Sequence, residues 1–201
     1  MIYILGTGPF ARELQTYCWK AYPHINRGVN LVGDDGDLTI DAYTSMMNKS
    51  LYGCETFLGS GKPEIKLRMF SELVGHPADS LVLGHLSDFS SVGLGSVLAH
   101  GSVVSAYTKI GSHVLVNYAA SIGHDCVIGD FATVGPNASI SGGCHIGTGA
   151  YIGAGANIRE GIKIGIKAVV GMGSVVTEDV ADGVTVYGVP AKPKDRQGGW
   201  A

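Results

Sequence analysis

From Val92 to Ala181 an apolar residue returns at every sixth place. Val92, Leu98, Val104, Ile110, Val116, Ile122, Ile128, Val134, Ile140, Ile146, Ile152, Ile158, Ile164, Val170 and Val176 make fifteen hexads without an insertion. Four places after most of them stands a second small or apolar residue, as at Ser96, Ala120, Cys126, Ala132, Ala138, Cys144, Ala150 and Ala168. Side chains between these two inward places alternate in and out, the period-two signature of a strand. The remaining places hold residues that accept tight bends, such as Gly95, Asp130, Pro136, Gly143 and Gly149. A helix would need apolar residues at threes and fours, which the strict sixes exclude. Three such sides close one triangular turn of eighteen residues. Residue n then lies beneath residue n+18 at the spacing of neighbouring strands, about 4.8 Å. Self-similarity at a fixed period marks a solenoid, and hexapeptides predict a parallel β-helix.

The first third of the chain has another rhythm. An apolar strand, Ile2 to Leu5, runs into Gly6-Thr7-Gly8-Pro9-Phe10-Ala11, and Phe10, Leu14, Tyr17, Cys18 and Ala21 then share one helical face. The turn fits G-x-G-x-x-A, which brings backbone close to a phosphate at a helix N-terminus or simply makes a tight βα connection. A second strand, Val29 to Val32, ends in Gly33-Asp34-Asp35, where nucleotide folds often grip a ribose. A third, Glu55 to Leu58, ends in Gly59, and a helix over 62–74 follows. The pattern predicts half of a doubly wound domain, sized for a single nucleotide. The expected organisation is an α/β Rossmann-like nucleotide-binding domain over 1–84, an all-β parallel β-helix over 85–187, and a tail over 188–201.

Composition narrows the role. The hexads account for much of the Gly 31, and a formal net charge of -3 argues against nucleic-acid and membrane-surface partners. No leader or apolar span is read at the start, so a cytoplasmic chain is expected. Cys126 and Cys144, eighteen apart at the same inward place, are expected to stack as reduced core fillers. Outward places Val97, Val103, Leu115, Tyr118, Val127 and Phe131 are apolar enough to predict an interface between copies.

Three motifs carry a family resemblance: Gly6-Thr7-Gly8 with Phe10-Ala11-Arg12-Glu13; Gly123-His124-Asp125-Cys126-Val127-Ile128-Gly129-Asp130-Phe131; and Gly171-Met172-Gly173-Ser174 with Gly188-Val189-Pro190-Ala191-Lys192. Together they resemble the left-handed β-helix (hexapeptide-repeat) acyltransferases. Within these the chain is similar to the sugar acetyltransferases that include nucleotide-4-amino-sugar N-acetyltransferases and sialic acid O-acetyltransferases. The resemblance spans nearly the whole chain and implies the left hand of the coil, a homotrimer, and acetyl-CoA as co-substrate without a metal. It implies direct transfer with His124 as general base, supported by Asp125. It places the acetyl-CoA contacts at Thr133, Gly142, Ala154 and Met172, and those to the nucleotide sugar at Gly8, Pro9, Phe10, Asp34, Asp35 and Gly59. Thr133 stands where some N-acetyltransferases have a second histidine, and Pro9-Phe10 where some relatives carry Gly-Gly-His.

The residues give His124 their own support. It falls at the third place of its hexad, a corner that points out of the prism, with Ala106 beneath it and Gly142 above. Two glycines, Gly142 and Gly143, leave room for a thioester and offer N–H groups to a developing oxyanion. His100 and His113, also at corners, read as ordinary surface residues. The leading expectation is an acetyl-CoA-dependent N-acetyltransferase acting on a UDP- or dTDP-linked amino sugar. Its rivals are a sugar or sialic acid O-acetyltransferase and a non-catalytic hexapeptide scaffold. A β-helix carbonic anhydrase needs three histidines around zinc, whereas His113 and His124 lie on different corners.

Overall fold

The computed structural model describes residues 2–5, 9–21, 29–32, 55–71, 76–77 and 79–194. The hexads build a β-solenoid of the left-handed β-helix type. Each flat side contributes a two-residue strand: Lys109–Ile110 (β10), Val127–Ile128 (β13) and His145–Ile146 (β16) belong to one face. A second face includes Ser121–Ile122 (β12) and Ser139–Ile140 (β15), and a third includes Leu115–Val116 (β11) and Thr133–Val134 (β14). The three sheets hold five, six and eight strands. Register confirms the eighteen-residue turn, with Lys109 paired to Val127 and Ser121 to Ser139, both in parallel.

Hydrogen bonding reaches one residue beyond each strand at both ends. Val127 N–H donates to Cys144 O at 2.9 Å and Gly129 N–H to Ile146 O at 2.7 Å, so the ladder spans the four places read from the sequence. Inside the prism the two inward places meet: Ile122, Ile128 and Ile140 pack with Ala120, Ala132 and Cys144, all essentially dry. Buried hydroxyls among them are paired, as where Thr108 Oγ1 donates to Gly123 O at 2.7 Å. Cys126 and Cys144 are buried free thiols. Burial raises both thiols above the ordinary range, consistent with inert fillers.

Among the described residues the expected Rossmann-like domain is not seen. Ile2–Leu5 (β1), Val29–Val32 (β2), Glu55–Leu58 (β3) and the two-residue His76–Pro77 (β4) make a parallel sheet in the order β2, β1, β3, β4. Only two helices accompany it among the described residues, Pro9–Ala21 (α1) and Pro63–Ser71 (α2). A doubly wound domain encloses a core of its own between helical layers. Here Ile4, Ala11, Leu14, Tyr17, Cys18 and Phe57 share one cluster with Leu81, Val97 and Leu115 of the solenoid. The segment is therefore a cap seated on one solenoid face.

That cap also explains most of the outward apolar residues. Val97 and Leu115 are buried under it, Tyr118 packs on Tyr17, and Phe131 lies 5.2 Å from Phe70 of α2. Among those six positions only Val103 and Val127 keep substantial exposure. They stand on the two faces that meet at the His124 corner. No described helix is long and apolar enough to cross a membrane.

Candidate active site

His124 occupies the bend between β12 and β13, where the chain turns from one flat side to the next. Its imidazole is outside the prism, with 68% of the side chain exposed. Asp125 takes the left-handed conformation at φ 56, which Asp tolerates better than most residues. Its Oδ2 lies 2.7 Å from Nδ1 of the preceding ring. An ionised carboxylate can only accept, so Nδ1–H donates and the free lone pair is left on Nε2. The sequence left this contact open because Asp is one methylene shorter than Glu; the bend supplies the missing reach.

Gly142 closes the next coil onto this ring. A Cβ there would stand 2.7 Å from Nε2 and 2.8 Å from Cε1, so only glycine lets the imidazole lie in its present position. The two glycines are not equivalent as donors. Gly143 N–H is already committed to His124 O at 2.8 Å, which corrects the reading of both as open. Gly142 N–H has no acceptor among the described residues. Some related bends differ, since Ser112 N–H is capped by Asp130 Oδ1 at 2.8 Å and Ile166 N–H by Asp182 Oδ1 at 2.7 Å, while others, such as those at Ala154 and Met172, share the uncapped N–H but have no imidazole beneath it. The bend above His124 thus keeps one donor uncapped beside one imidazole acceptor.

The other sequence-derived positions are dispersed. Ala154 and Met172 stack one coil apart at a different prism edge, and Met172 is 81% exposed. Thr133 is buried on the face that carries the cap, and its Oγ1 has no hydrogen-bond partner among the described residues. Pro9 is exposed, Phe10 packs against the cap–solenoid cluster, and Gly59 is buried after β3. Gly8, Asp34 and Asp35 lie outside the described residues. Among the described candidates, His124, Asp125 and Gly142 come together at one edge, and Ala154 and Met172 at another.

A second polar cluster was not legible in sequence. Lys66 of α2 is 2% exposed, and its Nζ donates to His113 O at 2.9 Å and Ala132 O at 3.0 Å. Burial pulls its ammonium down from 10.5 to about 7. His113 is not a surface residue: it is 3% exposed, stacked 5.2 Å from Phe131, with Nδ1 unpartnered. Its pKa falls to about 4 through burial, then the Lys66 charge, against an opposing pull from Asp130. The signal was α2 itself, whose stripe of Ile65, Met69 and Phe70 needs a facing surface and carries Lys66 beside it. This cluster is an anchor for the cap rather than part of the reactive edge.

The family described as "Bacterial transferase hexapeptide (six repeats)" matches residues 125–160. Among solved structures, a variant of perosamine N-acetyltransferase from Caulobacter crescentus, in complex with CoA and GDP-perosamine, shares 24% identity over 96% of both chains with a TM-score of 0.84. The acetyltransferase domain of PglB from Neisseria gonorrhoeae, in complex with acetyl coenzyme A, shares 26% over 96% of this chain and 98% of its own, with a TM-score of 0.84. WeeI from Acinetobacter baumannii shares 29% over 96% and 99%, with a TM-score of 0.82. No curated protein sequence matches significantly. Fold, repeat and neighbours agree: the chain is a hexapeptide-repeat β-solenoid, similar over nearly its whole length to acetyltransferases of the left-handed β-helix type.

Proposed function

We propose that the chain is an acetyltransferase that moves the acetyl group of acetyl-CoA directly onto the amino group of a nucleotide-linked sugar. The observation that carries this reading is the pairing of Nε2 of His124, oriented through Asp125, with the uncapped N–H of Gly142 in the next coil. Acyl transfer from a thioester needs one proton acceptor beside one oxyanion donor, and this bend provides both. PglB and perosamine N-acetyltransferase bear on the acyl donor through the ligands named with them. Acetyl-CoA, when bound, supplies the activated acyl group. His124 Nε2 takes a proton from the attacking amine and returns it to the departing thiolate sulfur. Gly142 N–H faces the oxygen on which negative charge develops, and Asp125 holds the ring in the tautomer that accepts.

A complete site requires more than one chain in this reading. Ala154 and Met172 stand on a different edge from His124, so a second copy must bring that edge alongside. The exposed Val103 and Val127, on the faces flanking His124, are suited to such packing, each worth about 1.5–3 kcal/mol if fully buried. A homotrimer satisfies both requirements. The test is a screen of nucleotide-linked amino sugars with acetyl-CoA, read by mass spectrometry, comparing wild type with His124→Ala. A mass gain of one acetyl group with wild type alone supports the reading. Acetylation of hydroxyl sugars but no amines would replace it with O-acetyl transfer, and no transfer to either would retire it.

A further inference from the structure

Directly beneath Asp125, in the same column of bends, stand Tyr107 and, one coil lower, Phe89. Their rings are stacked, with centroids 5.3 Å apart and planes 9° from parallel. Both are open to solvent, 79% for Phe89 and 58% for Tyr107. Both also take the left-handed conformation, at φ 62 and φ 59. Bulky side chains are unfavourable there, and the two bends above Asp125 in this column use Gly143 and Gly161 instead. Phe131 is a third aromatic with positive φ, but its ring is covered by Phe70 and His113. Folding alone therefore accounts for Phe131 and not for an exposed aromatic pair at the reactive edge.

The position of the pair defines what it can hold. Asp125 N–H donates to Ala106 O at 3.1 Å, so the coil carrying Tyr107 is hydrogen-bonded directly to the one carrying the His124–Asp125 pair. The Asp125 carboxylate turns sideways toward His124, 2.7 Å from its Nδ1. An aromatic face and a carboxylate are both attractive to a cation, and an aromatic face also suits the C–H side of a sugar. Lys109, the nearest base along the chain, lies on the flat side beyond the bend and not in this column.

We infer that Tyr107, backed by Phe89, is the shelf that receives the amino sugar, holding its ammonium group and the adjoining apolar ring face below His124. This rests on the proposed acetyl transfer and adds a specificity element to it. An amine arriving as ammonium releases one proton to water. His124 takes the second as the new C–N bond forms and the C–S bond breaks, and passes it to the thiolate, giving the amide, free CoA thiol and one proton in solution. A hydroxyl acceptor gains nothing from the cation-attracting surface, so the shelf favours amines.

The test uses three variants of the full chain. Tyr107→Ala removes the ring, Tyr107→Leu keeps apolar bulk without a π face, and Tyr107→Phe keeps the face without the hydroxyl. With an amino sugar that wild type acetylates, the Ala and Leu variants should raise acceptor KM about ten-fold, with kcat within about two-fold and acetyl-CoA KM unchanged. The Phe variant should stay within about two-fold of wild type. A Leu variant as good as wild type would overturn the inference, since bulk alone would then suffice. So would a change in the mass of the assembly by light scattering, which would assign the pair to a contact between copies. Calorimetric binding of the same amino sugars separates the two levels. Binding that depends on Tyr107 without any transfer retires the proposed reaction and keeps the shelf; transfer with unchanged binding does the reverse.

Discussion

Replacing Gly142 by alanine tests the reactive edge with a single methyl group. The added Cβ would lie 2.7, 2.8 and 3.1 Å from Nε2, Cε1 and Cδ2 of His124. Ordinary contact begins at 3.4 Å, so Nε2 must retreat by roughly 0.7 Å, either by rotation or by giving up the 2.7 Å contact to Asp125. Displacing a reacting group by about 1 Å typically costs on the order of 10²-fold, so kcat should fall between about 10-fold and 10²-fold. Stability should scarcely change. The ring is mostly exposed and free to swing outward, and Gly142, unlike Gly143 at φ 69, does not need the left-handed conformation that alanine resists. A melting temperature within about 2 °C of wild type is expected. The assay is thiol release from acetyl-CoA under saturating acceptor, alongside a thermal melt of the same preparation. Unchanged kcat would refute the claim that the ring's position matters, and a collapsed melt would show that Gly142 serves the coil instead.

Other expectations follow from the same geometry. His124→Ala should lower kcat by about 10²-fold to 10⁴-fold while retaining acetyl-CoA binding by calorimetry; near-normal turnover removes it as the base. Asp125→Ala, which frees the ring to rotate and change tautomer, should lower kcat by about 10-fold to 10²-fold in the same assay. Lys66 has a folded value of about 7 against 10.5 ordinarily, so the unfolded chain binds more protons between those limits and stability should rise with pH there. Between about pH 7 and about pH 9 its share of that rise is on the order of 2 kcal/mol, and urea melts of Lys66→Met should lack it. His113, neutral when folded down to about pH 4, adds a loss of stability as pH falls from 6.5 toward that value. His113→Phe should flatten that acid limb of the melting profile.

The solenoid was legible because its core places repeat without interruption, and each inward residue from Leu98 to Val176 reports the same environment. His124 was legible for a related reason: a corner place in a strict repeat points outward whatever its neighbours are. The bond to Asp125 was not, since it depends on the backbone angle at a bend and not on spacing. The cap misled for a physical cause. Strand–glycine–helix order is shared by doubly wound domains and by small sheets that borrow a core, and only the cluster joining Phe57 and Leu14 to Val97 and Leu115 separates them. The same borrowing turned Val97, Leu115 and Phe131 from an expected contact between copies into an internal one. His113 looked like His100 in sequence because nothing local records that α2 lies over it.

A repetitive prism offers a docking partner many almost identical heights, each about 4.8 Å from the next. An apolar stripe alone would tolerate slippage along that scale. The carbonyls that clasp Lys66 recur at every coil, but the aromatic pair His113 and Phe131, on which Phe70 of the same helix packs, does not, and it acts as a detent that selects one height. Whatever the cap carries is thereby held at a fixed elevation relative to His124.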